Sequence, residues 1–199
     1  MSSLVIPMLD EVLQRITQNI SPLSVVALAD VKRLAKIREV PKNEVLVREG
    51  DYSYELYYVV KGGARAYYLK DGKTISDWFA FENDFISSIV SFFLQVPSQH
   101  YIETLEDTTF MVLQLKDIEL LCDKHHDFER LGRLSTTKTM LQLQQRIVSL
   151  QFKTSKERYD SLLEKYPKIE LRAPLGDIAS YLGITQETLS RLRNRKNGF

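Results

Sequence analysis

Pro174–Lys196, reading PLGDIASYLGITQETLSRLRNRK, narrows what this chain can fold into more than any other stretch. Leu175, Ile178, Ala179 and Leu182 recur at i, i+3, i+4 and i+7, which makes one apolar helix face. Pro174 suits a first helical turn, where its missing N–H costs nothing. Gly183 supplies the backbone freedom for a sharp turn, with Ile184 plugging the corner and Thr185 capping a second helix. That helix turns Leu189 and Leu192 inward and leaves Gln186, Glu187, Ser190, Arg191 and Asn194 as an outward polar stripe. Two short helices about a tight turn, the second polar on its outer face, form the layout of a helix-turn-helix.

The stripe has the chemistry to read base edges. Arg191 can grip guanine O6 and N7, and Glu187 can accept from the cytosine amino group. A glutamate facing DNA is repelled by phosphates, so its place there makes sense as a base reader. Ser190 and Gln186 are the right size for a base edge or a phosphate. Arg193, Arg195 and Lys196 follow with no acid among them, as phosphate binders that release counterions would. The expected DNA-facing set is Thr185, Gln186, Glu187, Ser190, Arg191, Asn194, Arg195 and Lys196. The net charge of +1 is uneven: from Thr154 onward there are nine Lys/Arg against six Asp/Glu, and before it eighteen against twenty. A mildly basic module joined to a mildly acidic one suggests two separate tasks.

Upstream, residues 8–37 have a helical pattern, with Ser21-Pro22 starting a second helix. From Arg38 to Gln114 the period changes to short strand-like runs between turn residues. Leu56–Val60, Lys61-Gly62-Gly63 and Ala64–Leu69 read as a hairpin, and Asp71-Gly72 marks another turn. Many short strands argue for an antiparallel barrel or roll, hence an α+β chain. Phe128 to Leu150 is a long helix with two apolar stripes, Leu134/Leu141/Val148 and Met140/Ile147 beside Leu143/Leu150. One stripe is expected on the roll and the other on a partner subunit. Ser155 is placed to cap a further helix ending at Tyr166-Pro167. The divisions expected are 1–127, 128–152 and 153–199. Cys122 is the single cysteine, so no disulfide forms within the chain. No stretch approaches a membrane span in apolar length, and the N-terminus lacks a basic signal-peptide region, which points to the cytoplasm.

In this order, roll, long helix and helix-turn-helix, the chain resembles the CRP/FNR family of bacterial transcription regulators over nearly its whole length. IASYLGITQETLSRLR (178–193) is similar to the family's DNA-binding signature, and VLVREGD (45–51), LYYVVKGGARAYY (56–68) and ENDFISS (82–88) resemble its strand and turn blocks. ERYDSLLEKYP (157–167) is similar to a subgroup of Bacteroidetes regulators. The resemblance implies an N-terminal β-roll of the cyclic nucleotide-binding type, a dimerisation helix and a C-terminal winged helix-turn-helix. It also implies that Glu187, Ser190 and Arg191 read bases in a double-stranded inverted-repeat operator, that the protein is a homodimer, and that RNA polymerase is a further partner. No enzyme activity and no membrane partner follow from it.

The departures bear on the effector. Where cyclic-nucleotide-binding members carry a glutamate for the ribose and an arginine for the phosphate, this chain has Ser88 and Ser98. Without those partners cyclic AMP in the usual mode is not expected, and no cofactor is implied. Arg65, Phe85, Ser87, Ser88 and Ser98 form the candidate effector pocket, with Arg65 as an anion partner and Trp78, Phe79, Phe81, Phe92, Phe93 and Tyr101 nearby. The cysteine needed for an iron–sulfur sensor is missing from the N-terminal region. His100, His125, His126 and Cys122 offer axial ligands for haem, yet such residues are more often packing or surface groups. Two rival readings are a cupin-like metal enzyme, for which three histidines are a poor ligand set, and a β-roll interaction module that does not bind DNA.

Overall fold

The computed structural model describes the backbone of residues 5–196 and the side chains of 6–194. Two helices, α1 (Val5–Asn19) and α2 (Val25–Leu34), precede β1 (Lys36–Val40), β2 (Val45–Val47), β3 (Glu55–Lys61), β4 (Ala64–Lys70), β5 (Lys73–Ala80) and β6 (Phe85–Ile86). A short helix α3 (Ile89–Leu94) leads to β7 (Tyr101–Thr104) and β8 (Thr108–Gln114). Helices follow to the end: α4 (Leu115–Lys124), α5 (His126–Phe152), α6 (Ser155–Lys165), α7 (Ile169–Arg172), α8 (Leu175–Leu182) and α9 (Gln186–Lys196). The strands form two antiparallel sheets ordered β1-β8-β3-β6 and β2-β7-β4-β5, which face each other as a roll.

Alternation along the strands decides what each face covers. Tyr57 and Val59 of β3 and Phe110 and Val112 of β8 point into the roll, where they meet Ala64, Ala66, Ile86 and Ile102. Their neighbours Tyr58, Met111 and Leu113 point outward and are covered by Leu9, Val12, Leu13, Val31, Leu121 and Phe128 of the surrounding helices. These strands therefore read as continuous apolar runs, because both faces are buried.

Several local expectations need correction. Lys61-Gly62-Gly63 is not a hairpin turn: β3 already has β8 and β6 on its two edges, so the chain crosses to the other sheet. Gly62 makes that crossing at φ 94°, where a Cβ would lie 2.6 Å from the Asp107 carbonyl. The Asp71-Gly72 turn does close a hairpin, β4 to β5, with both residues at positive φ (51° and 73°), as a type I′ turn requires. Ser24 rather than Ser21 caps α2, its Oγ accepting from the Ala27 N–H. Thr154 rather than Ser155 caps α6, in a reciprocal box with Glu157. Pro174 stands one residue earlier than expected, as the N-cap of α8. Among the described residues the C-terminal part is wholly helical, with α7 leading into α8, so the wing implied by the resemblance is not formed there.

Candidate nucleic-acid interface and sensor cavity

Gly183 ends α8 in the left-handed conformation (φ 65°, ψ 39°), with its N–H directed to the carbonyls of Ala179 and Ser180. The Ile184 N–H reaches the Ala179 carbonyl at 3.0 Å, which folds the chain back for α9. Thr185 Oγ1 accepts from the Thr188 N–H at 3.3 Å, the capping bond expected of it. Ile178, Ala179, Leu182 and Leu189 are buried together and Leu192 packs against them. Leu175, counted in the apolar face, is instead 37% exposed at the start of α8. Thr185, Gln186, Glu187, Ser190, Arg191 and Asn194 are all exposed, and the last five lie along one side of α9. Hydrogen bonding from the Thr185 hydroxyl holds the Glu187 carboxyl below the usual glutamate range, so it is an anionic acceptor. Arg191 Nη2 rests on Thr188 Oγ1 at 3.2 Å. The side chains of Arg195 and Lys196 lie outside the described residues. Arg193, expected to meet phosphate, turns back: its Nε sits 2.7 Å from Glu170 Oε1, an ion pair without hydrogen-bond alignment.

Among the described residues the helix-turn-helix shares its core with the roll. Its apolar cluster includes Phe79, Phe81 and Leu105 of the roll, with Phe79 against Tyr181 and Phe81 edge-on to Tyr166. Tyr166 Oη donates to Asp84 at 2.9 Å, and burial beside that carboxylate pushes the phenol well above its usual range. Arg172 bonds Glu82, Glu106 and the Gly62 carbonyl. Arg65 is 7% exposed and engages Glu103 through Nε and Nη2 (2.9 and 2.7 Å) and Asp177 of α8 through Nη1. Arg65 was expected to await an anionic effector. Two carboxylates occupy it instead, and it faces α8.

A cavity of about 710 Å³ lies between the roll and the helices α1 to α5 that surround it, with Leu13, Val31 and Ile118 on its α1, α2 and α4 side. Trp78, Phe85, Ser87, Phe92, Phe93, His100, Met140, Leu143 and Ile147 are among its lining residues, and its walls are largely hydrocarbon. Of the expected pocket residues, Phe85 and Ser87 line it, whereas Ser88 and Ser98 do not. The two serine hydroxyls sit 2.8 Å apart, and Ser98 Oγ also donates to the His100 carbonyl at 2.7 Å. The positions corresponding to the missing ribose and phosphate partners thus satisfy each other. Phe79 and Phe81 face the helix-turn-helix, and Tyr101 stacks on Tyr67. His100 has a buried Nε2 with no partner among the described residues, and burial lowers its pKa. His125 is hydrogen-bonded to Asp30 at 2.8 Å, His126 is exposed, and among the described residues no three His, Cys, Asp or Glu side chains stand together as a metal-binding group.

The architecture is a β-roll with a cavity against a long helix, followed by a helix-turn-helix. Residues 37–125 match the model of the cyclic nucleotide-binding domain family. The chain is similar to the solved structure of FixK2 from Bradyrhizobium japonicum (24% identity, TM-score 0.70), covering 81% of this chain and 83% of that one. It is also similar to a CooA mutant from Carboxydothermus hydrogenoformans (18%, TM-score 0.66, covering 91% and 82%). A third similar structure is the catabolite activator protein of Thermus thermophilus (16%, TM-score 0.56, covering 90% and 85%). The chain shares its fold with these structures and with a putative transcriptional regulator of the CRP/FNR family from Eubacterium rectale (18% identity, TM-score 0.65, covering 85% of this chain and 82% of that one). No curated protein sequence matches the chain. No described helix is long and apolar enough to cross a membrane.

Proposed function

We propose that this chain is a homodimeric, cytoplasmic, sequence-specific DNA-binding transcription regulator, not an enzyme, controlled by an effector other than cyclic AMP. The observation that carries the reading is the exposed row Gln186, Glu187, Ser190, Arg191 and Asn194 on a helix anchored by the fully buried Leu189. Arg191 reads guanine, Glu187 reads the cytosine of a nearby pair, and Ser190 and Gln186 adjust the choice. Support for the dimer comes from α5, whose Met140, Leu141, Ile147, Val148 and Leu150 are exposed in the single chain. Apolar area of that extent on one helix calls for a partner. A two-fold pair of α9 helices about 34 Å apart then reads an inverted repeat. RNA polymerase is the further partner of this reading.

The effector is a small, mainly apolar molecule held between the roll and α5. Support lies in the hydrocarbon walls of the cavity, the mutual Ser88–Ser98 bond and the engagement of Arg65 by Glu103 and Asp177.

Selection from randomised duplexes is expected to enrich a palindrome. Arg191→Ala should then cost about 1–3 kcal/mol and relax discrimination at one base pair per half-site. Equal weakening on every sequence would contradict base reading. Cyclic AMP in a thermal-shift titration is expected to leave the transition unmoved, since a ligand that binds the folded state raises it.

A further inference from the structure

β5 is an edge strand of its sheet, and α8 closes that edge. Ser180 Oγ accepts the Ser76 N–H at 3.0 Å and donates to the Thr74 carbonyl at 3.2 Å, so one side chain stands where a strand neighbour would. The Arg65–Asp177 ion pair fixes the same contact from β4. Together they set the β4–β5 hairpin tip beside the helix-turn-helix. A groove of about 360 Å³ there is lined by Lys70, Lys73 and Thr74 from the hairpin, Gly176 near the start of α8, and Gln186 at the start of α9. Lys70 and Lys73 are cross-strand partners at the last pair before the turn, and both are exposed. The arginines of the neighbouring surface are committed elsewhere: Arg146 to the Tyr181 carbonyl, Arg158 to the Leu182 carbonyl, Arg172 to Glu82 and Glu106.

We propose that the β4–β5 hairpin is a second DNA-contacting element, Lys70 and Lys73 binding backbone phosphates beside the groove that α9 enters, an assignment that rests on the DNA-binding reading above. In a helix-turn-helix the first helix crosses the phosphate backbone while the start of the second faces base edges. Gly176 and Gln186 mark those two places in this chain, and the lysines share a groove with both. Lysine suits the role, as a mobile point charge that needs no fixed geometry to meet a phosphate. Asp71 at the tip opposes it; its place there is explained by the turn, since aspartate tolerates the φ of 51° that the turn needs.

The test is duplex binding by the full chain against salt, on an operator enriched by the unmodified protein. Each lysine bound to a phosphate adds about 0.9 to the slope of log K against log[salt]. Lys70→Ala/Lys73→Ala should therefore flatten the slope by about 1.8 and lose about twelvefold less affinity than the unmodified chain over a fourfold rise in salt. Preference for the operator over unrelated duplex is expected to persist. Asp71→Asn keeps a residue tolerant of the turn and removes the opposing charge, so it should bind more tightly at low salt. An unchanged slope in the double variant overturns the proposal, as does tighter binding, which would mean that the hairpin obstructs DNA. If the unmodified chain retains no duplex, the DNA-binding reading itself falls and takes the hairpin with it.

Discussion

Replacing Arg65 by methionine keeps the aliphatic stem and removes the charge that holds the roll to α8. In the native chain the guanidinium neutralises Glu103 and Asp177, whose side chains are 19% and 11% exposed. Without it two carboxylates remain together in a water-poor contact. Breaking a buried ion pair from one side costs about 3–5 kcal/mol. For a chain of this size each kcal/mol moves the midpoint about 2–4 °C, so thermal unfolding at pH 8 should fall by roughly 6–20 °C. The loss should depend on pH in a definite direction. Burial already pushes the Asp177 carboxyl above its usual range, and removing Arg65 raises it further. A carboxyl raised in the folded state contributes stability through its protonated form. That contribution is complete below the unfolded value of about 3.9 and is lost as pH rises through the folded one. Measured against the native chain at each pH by urea denaturation, Arg65→Met should therefore be closest to native near pH 4.5 and furthest at pH 8. Asp177→Asn in the same background should recover part of the loss at pH 8. A deficit equal at both pH values, with no recovery from Asp177→Asn, would show that Arg65 acts by packing alone and would refute the electrostatic account.

Gly183→Ala should destabilise by about 1–2 kcal/mol in urea, a backbone cost only, because the new Cβ meets nothing nearer than Leu150 Cδ2 at 3.6 Å. Leu189→Ala, at a residue 0% exposed, should cost about 2–5 kcal/mol and remove duplex binding as α9 loses its anchor, read by circular dichroism and gel retardation. Ile147→Glu on α5 places a charge in the exposed apolar face, so if the proposed dimer forms there, sedimentation should show a dimer for the native chain and a 23.1 kDa monomer for the variant.

The helix-turn-helix was legible because every determinant lies within 23 residues: a 3.6-residue apolar period, a glycine at the turn, a capping threonine and a polar outer face. Local sterics and capping act over such distances, so α8, Gly183 and α9 follow from their own letters. The turn-rich strands also announced a roll, since period two and turn chemistry are local properties. Pairing is not local. Ala64–Leu69 looked like the return arm of a hairpin from Leu56–Val60, yet β8, about fifty residues away, takes that edge of β3. The fate of charged residues was equally hidden. Arg65 and Arg193 read as free cations, and only the folded chain brought Asp177 and Glu170 to them, because a buried or half-buried charge is settled by whatever carboxylate the tertiary contact supplies. The same holds for His100, whose unpartnered nitrogen beside an apolar cavity leaves no mark in its neighbours along the chain. Backbone preference and side-chain periodicity wrote the elements into the sequence. Which sheet a strand joins, which carboxylate an arginine meets and how firmly the helix-turn-helix sits on the roll were decided by contacts between segments far apart, where burial and charge outweigh local propensity.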